Sequence, residues 1–130
     1  MIEGISHLTF IVKDLDKAKA FFEGVFGAKE VYSSDGKYFS ISEEKFFLIG
    51  DIWICAMQGE SVERSYNHTA FKIDEDSFNI YYQRITDLGL EIKTGRPRID
   101  GEASSLYFYD YDNHLFELHT GTLANRLKVY

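Results

Sequence analysis

The 130-residue chain fits one compact unit, since ~100–200 residues make a domain and folding at that length removes ~65–70% of the unfolded chain's surface from water. Hydrophobic residues at 45% and charged residues at 27% exclude a disordered chain, and one cysteine excludes both an intramolecular disulfide framework and a multi-cysteine zinc site. The formal charge of −7 leaves no basic face for nucleic acid, and no run approaches the ~18 apolar residues of a membrane span.

The N-terminus, Met1-Ile2-Glu3-Gly4-Ile5-Ser6-His7, lacks the basic region and long apolar stretch of a signal peptide, so a soluble cytoplasmic protein is expected. Residues 5–12 read as a strand with Leu8, Phe10 and Val12 on one face. Asp14 is placed to cap a helix over 15–26, where Leu15, Ala18, Phe22 and Phe26 share a side and Gly27 follows as the terminator. A strand near 28–33 leads to a polar turn at Ser34-Asp35-Gly36. Short strands near 37–42, 45–50 and 52–58 follow, joined by turns at Glu43-Glu44 and Gly50-Asp51. The second half repeats the order: strand 66–73, helix 75–88 closed by Gly89, strand 90–94, then strands near 104–110 and 114–119. A tail over 122–128 reads as helical.

An offset of 61 residues places His7 on His68, Phe10 on Phe71, Glu30 on Glu91 and Val31 on Ile92. The matches coincide with the same strand–helix–strand order, which makes the chain two βαβββ modules in an α+β fold. Module one covers about 1–60, module two about 61–121 and the tail 122–130, within one domain spanning 1–130.

His7 and His68 occupy equivalent places in the two first strands, so pseudo-twofold symmetry would aim both imidazoles into one cleft. The competing reading for each is a hydrogen-bonded structural histidine. Leu115, Glu117 and His119 share one face of a late apolar strand, where a carboxylate is costly unless it is paired or binds a metal. Glu117 is therefore a candidate third ligand, unless the strand is an edge that leaves it in solvent. His119 competes for the same role, and His114, after Asp112-Asn113, reads as a turn residue. Two histidines and a carboxylate suit Mn²⁺, Fe²⁺ or Zn²⁺ without choosing among them. Arg96, Arg98 and Arg126 are candidate anion clamps, and Ser104, Ser105 and Tyr107 add hydroxyls. Cys55 sits in an apolar strand and reads as packing. Glu43 and Glu44 read as solvated turn residues.

The modules with His7, His68 and Glu117 resemble the vicinal oxygen chelate superfamily. Nearly the whole chain is similar to the fosfomycin-resistance proteins, most of all to the FosX-type epoxide hydrolases. The resemblance rests on Ile5-Ser6-His7-Leu8-Thr9, on Ser42-Glu43-Glu44-Lys45-Phe46-Phe47, and on Glu63-Arg64-Ser65-Tyr66-Asn67-His68. It continues through Arg96-Pro97-Arg98, Ser105-Leu106-Tyr107-Phe108-Tyr109-Asp110 and Asn113-His114-Leu115-Phe116-Glu117-Leu118-His119, with Arg126 beyond.

This resemblance implies a vicinal oxygen chelate fold whose modules pair across a homodimer. His7 would come from one subunit and His68 with Glu117 from the other, holding Mn²⁺ or another divalent ion. It implies a fosfomycin epoxide hydrolase in which Glu44 is the general base for water attack at C1, next to phosphorus. Thr9 would contact the departing oxygen or the phosphonate, and Arg98, Ser105, Tyr107 and Arg126 would bind the phosphonate of fosfomycin or another small phosphonate epoxide. The lysine that thiol-transferring relatives carry before the Ser-x-Tyr element has no clear counterpart over 95–104, which favours water over a thiol. The alternatives are a thiol transferase using glutathione, cysteine or bacillithiol, and a non-catalytic drug-binding module. Fe²⁺-dependent catechol cleavage is the more distant one.

Overall fold

Asp14 and Gly27 bracket the first helix as their chemistry dictates. The Asp14 carboxylate accepts the amides of Asp16 and Lys17 at 2.8 and 3.1 Å, and Gly27 adopts the left-handed conformation (φ 63°) that a side chain would disfavour. Between them α1 (Leu15–Phe26) buries Ala18, Phe21, Phe22, Val25 and Phe26. In the computed structural model, which describes residues 1–93 and 102–130, the chain divides into two compact units. One comprises Met1–Glu63 with Tyr111–Asn113, the other Arg64–Asp110 with His114–Tyr130.

The first unit holds a four-stranded sheet of β1 (His7–Val12), β2 (Lys29–Ser33), β3 (Glu44–Ile49) and β4 (Ile52–Gln58), in the order β1-β4-β3-β2. The outer pair β1–β4 is parallel and the rest antiparallel. Strand alternation sends Phe10 and Val12 to a core with Phe22, Phe47 and Ile54, all under 9% exposed. His7, Thr9 and Ile11 take the other face. The three residues Tyr111–Asn113 join this unit through Asp112, whose carboxylate accepts from the Lys13 amide (2.9 Å) and the Ser61 hydroxyl (2.6 Å).

The second unit repeats the plan with β5 (His68–Lys72), β6 (Ile92–Lys93), β7 (Ser105–Tyr109) and β8 (Leu115–His119), ordered β5-β8-β7-β6. Again the first and last strands pair in parallel. Its helix α2 (Phe78–Asp87) buries Ile85, and α3 (Leu123–Val129) closes the chain. No helix among the described residues is long and apolar enough to cross a membrane.

Three expectations change. The strand expected over 37–42 is absent. Lys37 closes a turn onto the Ser34 carbonyl, and Tyr38, Phe39 and Ile41 stand 66–91% exposed, because alternation without a partner strand leaves backbone groups to water. Glu44 opens β3 instead of lying in a turn. The helix expected over 75–88 begins as a 3₁₀ turn, Glu75–Ser77, held by the Asp74 carboxylate on the Ser77 amide. The repeat is also inexact in packing: Phe71 is only half-buried where its counterpart Phe10 is buried, although it stacks on Phe116. Arg96, Arg98 and the end of the expected strand 90–94 lie outside the described residues.

Candidate functional site

Glu117 lies mid-strand in β8, and β8 is an inner strand of its sheet, so the solvated-edge reading of this carboxylate fails. It is only 5% exposed. Its Oε1 is 3.0 Å from His68 Nε2, while Oε2 accepts the Ser105 hydroxyl at 2.5 Å. Burial pushes the Glu117 carboxyl up. Hydrogen bonds from Ser105 and Tyr107 and the charges of His68 and His119 outweigh it, and the net shift is downward. Ser105 also lies 2.7 Å from His119 Nδ1, which completes a line His119 to Ser105 to Glu117.

His68 is oriented from behind. Its Nδ1 is 2.7 Å from the Tyr66 carbonyl, and a carbonyl only accepts, so the proton of this contact sits on Nδ1. With Nδ1 so anchored, Nε2 faces a carboxylate oxygen 3.0 Å away, an ion pair when the ring carries a second proton and lone pair against lone pair when it does not. Two lone pairs at that distance repel unless a proton or a cation lies with them, and the backbone anchor is the outer support that metal-ligating histidines carry. The donor set therefore fits a divalent cation. A cavity of about 310 Å³ opens on this pair, lined also by His119, Gly121 and Arg126. Tyr107, 5% exposed, crosses His68 edge-on at 5.5 Å and meets the Tyr66 hydroxyl at 3.3 Å.

On the first unit's sheet, register aligns His7 with Trp53, Thr9 with Cys55, and Phe46 with Cys55 from the other side. His7 stacks on Trp53 at 4.2 Å, and Trp53 meets Phe46 edge-on at 5.2 Å. Glu44 is 8% exposed and its Oε2 accepts the Cys55 thiol at 3.3 Å. Burial, then the Glu44 contact, pushes the Cys55 thiol up to about 12. The offset of 61 carries Glu44 onto Ser105, and both sit at the same station of equivalent strands, opposite Met57 and His119.

The residues singled out from sequence thus fall into two sets. His68, Glu117, Ser105, Tyr107 and Arg126 gather in the second unit. His7, Thr9 and Glu44 stand in the first, with Thr9 exposed. Among the described residues no three His, Cys, Asp or Glu side chains gather at one point to hold a metal. His119 Nδ1 lies 3.4 Å from Glu117 Oε2 and shares the Ser105 hydroxyl with it, and His114 is a turn residue bound to Asp110 at 2.7 Å. Sequence reasoning missed the Cys55–Glu44 contact; strand alternation on β3 and β4, with Phe46 opposite Cys55, was the available signal.

Two βαβββ units, the second carrying a histidine–carboxylate pair at a cavity, are the plan of a metal-chelating domain of the glyoxalase kind. The chain belongs to the Glyoxalase/Bleomycin resistance protein/Dioxygenase superfamily, whose profile matches residues 4–118. It is 62% identical over 128 residues to the fosfomycin resistance protein FosX of Mesorhizobium japonicum, covering 98% of this chain and 92% of that one. A crystal structure of a Glu-to-Gln mutant of FosX from Listeria monocytogenes, complexed with Mn(II) and 1S,2S-dihydroxypropylphosphonic acid, superposes with a TM-score of 0.89. The two are 56% identical, with 98% of each chain covered. The metallothiol transferase FosB of Shouchella clausii is 36% identical, covering 100% of this chain and 88% of that one.

Proposed function

We propose that the protein adds water to the epoxide of fosfomycin, or of a similar small phosphonate epoxide, using Mn²⁺, and so confers fosfomycin resistance. The carrying observation is the FosX relative that holds Mn(II) together with a dihydroxypropylphosphonic acid. A vicinal diol is what water leaves on an opened epoxide, whereas a thiol would leave a thioether. The buried carboxylate of Glu44 supplies the group that water addition needs.

His7, His68 and Glu117 would hold the ion, His7 from one protomer of a homodimer and the other two from its partner. When bound, Mn²⁺ supplies Lewis-acid stabilisation of the oxygen released as the ring opens. Glu44 takes the proton of the water that attacks the carbon beside phosphorus, from the side opposite the departing oxygen. The water oxygen forms the new C–O bond as the ring C–O bond breaks. Thr9, on the His7 face, donates to the departing oxygen or to the phosphonate. Arg126, in the His68–Glu117 cavity, pairs with the phosphonate, joined by Ser105, Tyr107 and Arg98, the last outside the described residues. We place the reaction in the cytoplasm, where a reduced Cys55 is at home.

Phosphorus NMR of fosfomycin incubated with the protein and Mn²⁺, with and without glutathione, cysteine or bacillithiol, tests the reading. Diol formed without thiol is expected. Strict thiol dependence would replace it with the transferase chemistry of the FosB relatives, and binding without turnover would replace it with a drug-binding role.

A further inference from the structure

Three strands bring Thr9, Cys55 and Glu44 onto one sheet face. The Cys55 thiol donates to Glu44 Oε2 at 3.3 Å, within the reach of a sulfur hydrogen bond. We infer that Cys55 is a positioning residue: it pins Glu44 Oε2, leaving Oε1 to take the proton from the attacking water. The inference rests on the reading of Glu44 as the general base.

The geometry supports it in three ways. Among the described residues the Cys55 thiol is the one side-chain hydrogen-bond partner of the Glu44 carboxylate, so Oε1 is uncommitted. Cys55 is 3% exposed and sits mid-strand between β1 and β3, so its sulfur does not wander. Its thiol is held protonated by burial and by Glu44 itself, which makes it a donor throughout the neutral range. A thiol is also a weak donor. It fixes the carboxylate without withdrawing the basicity that proton abstraction needs, whereas an arginine or lysine at the same place would suppress it. The backbone frame is fixed independently, because the Ser34 hydroxyl accepts the Glu44 amide at 3.0 Å.

The test measures kcat and KM for fosfomycin hydration at saturating Mn²⁺ in Cys55→Ala, Cys55→Ser, Glu44→Gln and the double variant Cys55→Ala/Glu44→Gln. One orienting hydrogen bond corresponds to ~5–10-fold in rate. Cys55→Ala should therefore lose kcat by about that factor with KM unchanged, and Cys55→Ser, which restores a donor, should recover most of it. Adding Cys55→Ala to Glu44→Gln should cost nothing further, since the group it positions is gone. A wild-type kcat in Cys55→Ala overturns the inference while leaving the base reading intact. Equal losses in the alanine and serine variants, or full additivity in the double variant, also overturn it by showing a packing effect. Wild-type hydration in Glu44→Gln sinks the base reading and this inference with it.

Discussion

Replacing Ser105 by alanine separates the two roles proposed for one hydroxyl, support of Glu117 as a metal ligand and capture of the phosphonate. Ser105 donates to Glu117 Oε2 at 2.5 Å and lies 2.7 Å from His119 Nδ1, so the truncation removes one hydroxyl that a buried carboxylate and a ring nitrogen share. Outer partners of this kind are worth ~10–100-fold in metal affinity. At ~1.36 kcal/mol per decade that is ~1.4–2.7 kcal/mol. The side chain sits at the start of β7 and is half-buried, so losing one oxygen atom leaves the sheet standing. Mn²⁺ titration followed by electron paramagnetic resonance reads the affinity, and steady-state hydration at saturating Mn²⁺ reads KM. The Mn²⁺ Kd should rise by ~10–100-fold, and KM at saturating Mn²⁺ should rise as well, because the same hydroxyl is assigned to the phosphonate. An unchanged Mn²⁺ affinity with a raised KM would refute the support argument and leave Ser105 as a phosphonate ligand.

Mixing His7→Ala with Glu117→Gln chains, each inactive alone, should restore about a quarter of wild-type activity after subunit exchange, because half the dimers are mixed and each carries one intact site. No recovery would place His7 and Glu117 of the same chain in one site. Cys55, with its thiol pushed up to about 12, is neutral at pH 8, where on the order of one in 10,000 molecules is thiolate. Ellman's reagent should therefore label the native protein very slowly and the urea-unfolded protein at once, and fast native labelling would contradict the burial of this strand. Gly121→Ala would set a Cβ 2.5 Å from the Ala103 Cβ and 2.9 Å from His119 Nε2. Neither neighbour gives way easily, so the expected cost is ~1–3 kcal/mol in urea unfolding. An unshifted midpoint would mean the 121 backbone relaxes freely.

The boundaries of α1 were legible because its ends are local chemistry, an aspartate that caps and a glycine that tolerates positive φ. The His7–His68 repeat was legible because strand period and spacing survive in sequence. The stretch 37–42 misled for the opposite reason. Its alternation is genuine, but a strand exists only where a neighbour completes its hydrogen bonds, and that neighbour is a tertiary fact. Glu44 and Glu43 are chemically identical in a one-dimensional reading. One residue of strand alternation puts Glu44 against Cys55 and leaves Glu43 half-buried elsewhere. Ser105 and Tyr107 could be picked out as useful hydroxyls. That they bond to Glu117 follows only from β7 pairing antiparallel with β8.

In each sheet the first strand pairs in parallel with the last, and that sets a schedule for synthesis. His7 finds its register partner Trp53 only when the fourth strand has been made, and His68 waits for Leu115. Such closures between distant segments are slow compared with hairpins, because loop entropy is lost before contact is gained. β8 is the last strand made, yet it is an inner strand of its sheet. A ribosome that stops before residue 115 therefore releases a second unit without its middle strand, with β5 and the β6–β7 hairpin left unjoined. The histidine–carboxylate pair is among the last parts of the chain to come together, so truncation before residue 115 removes an inner strand of a sheet along with α3.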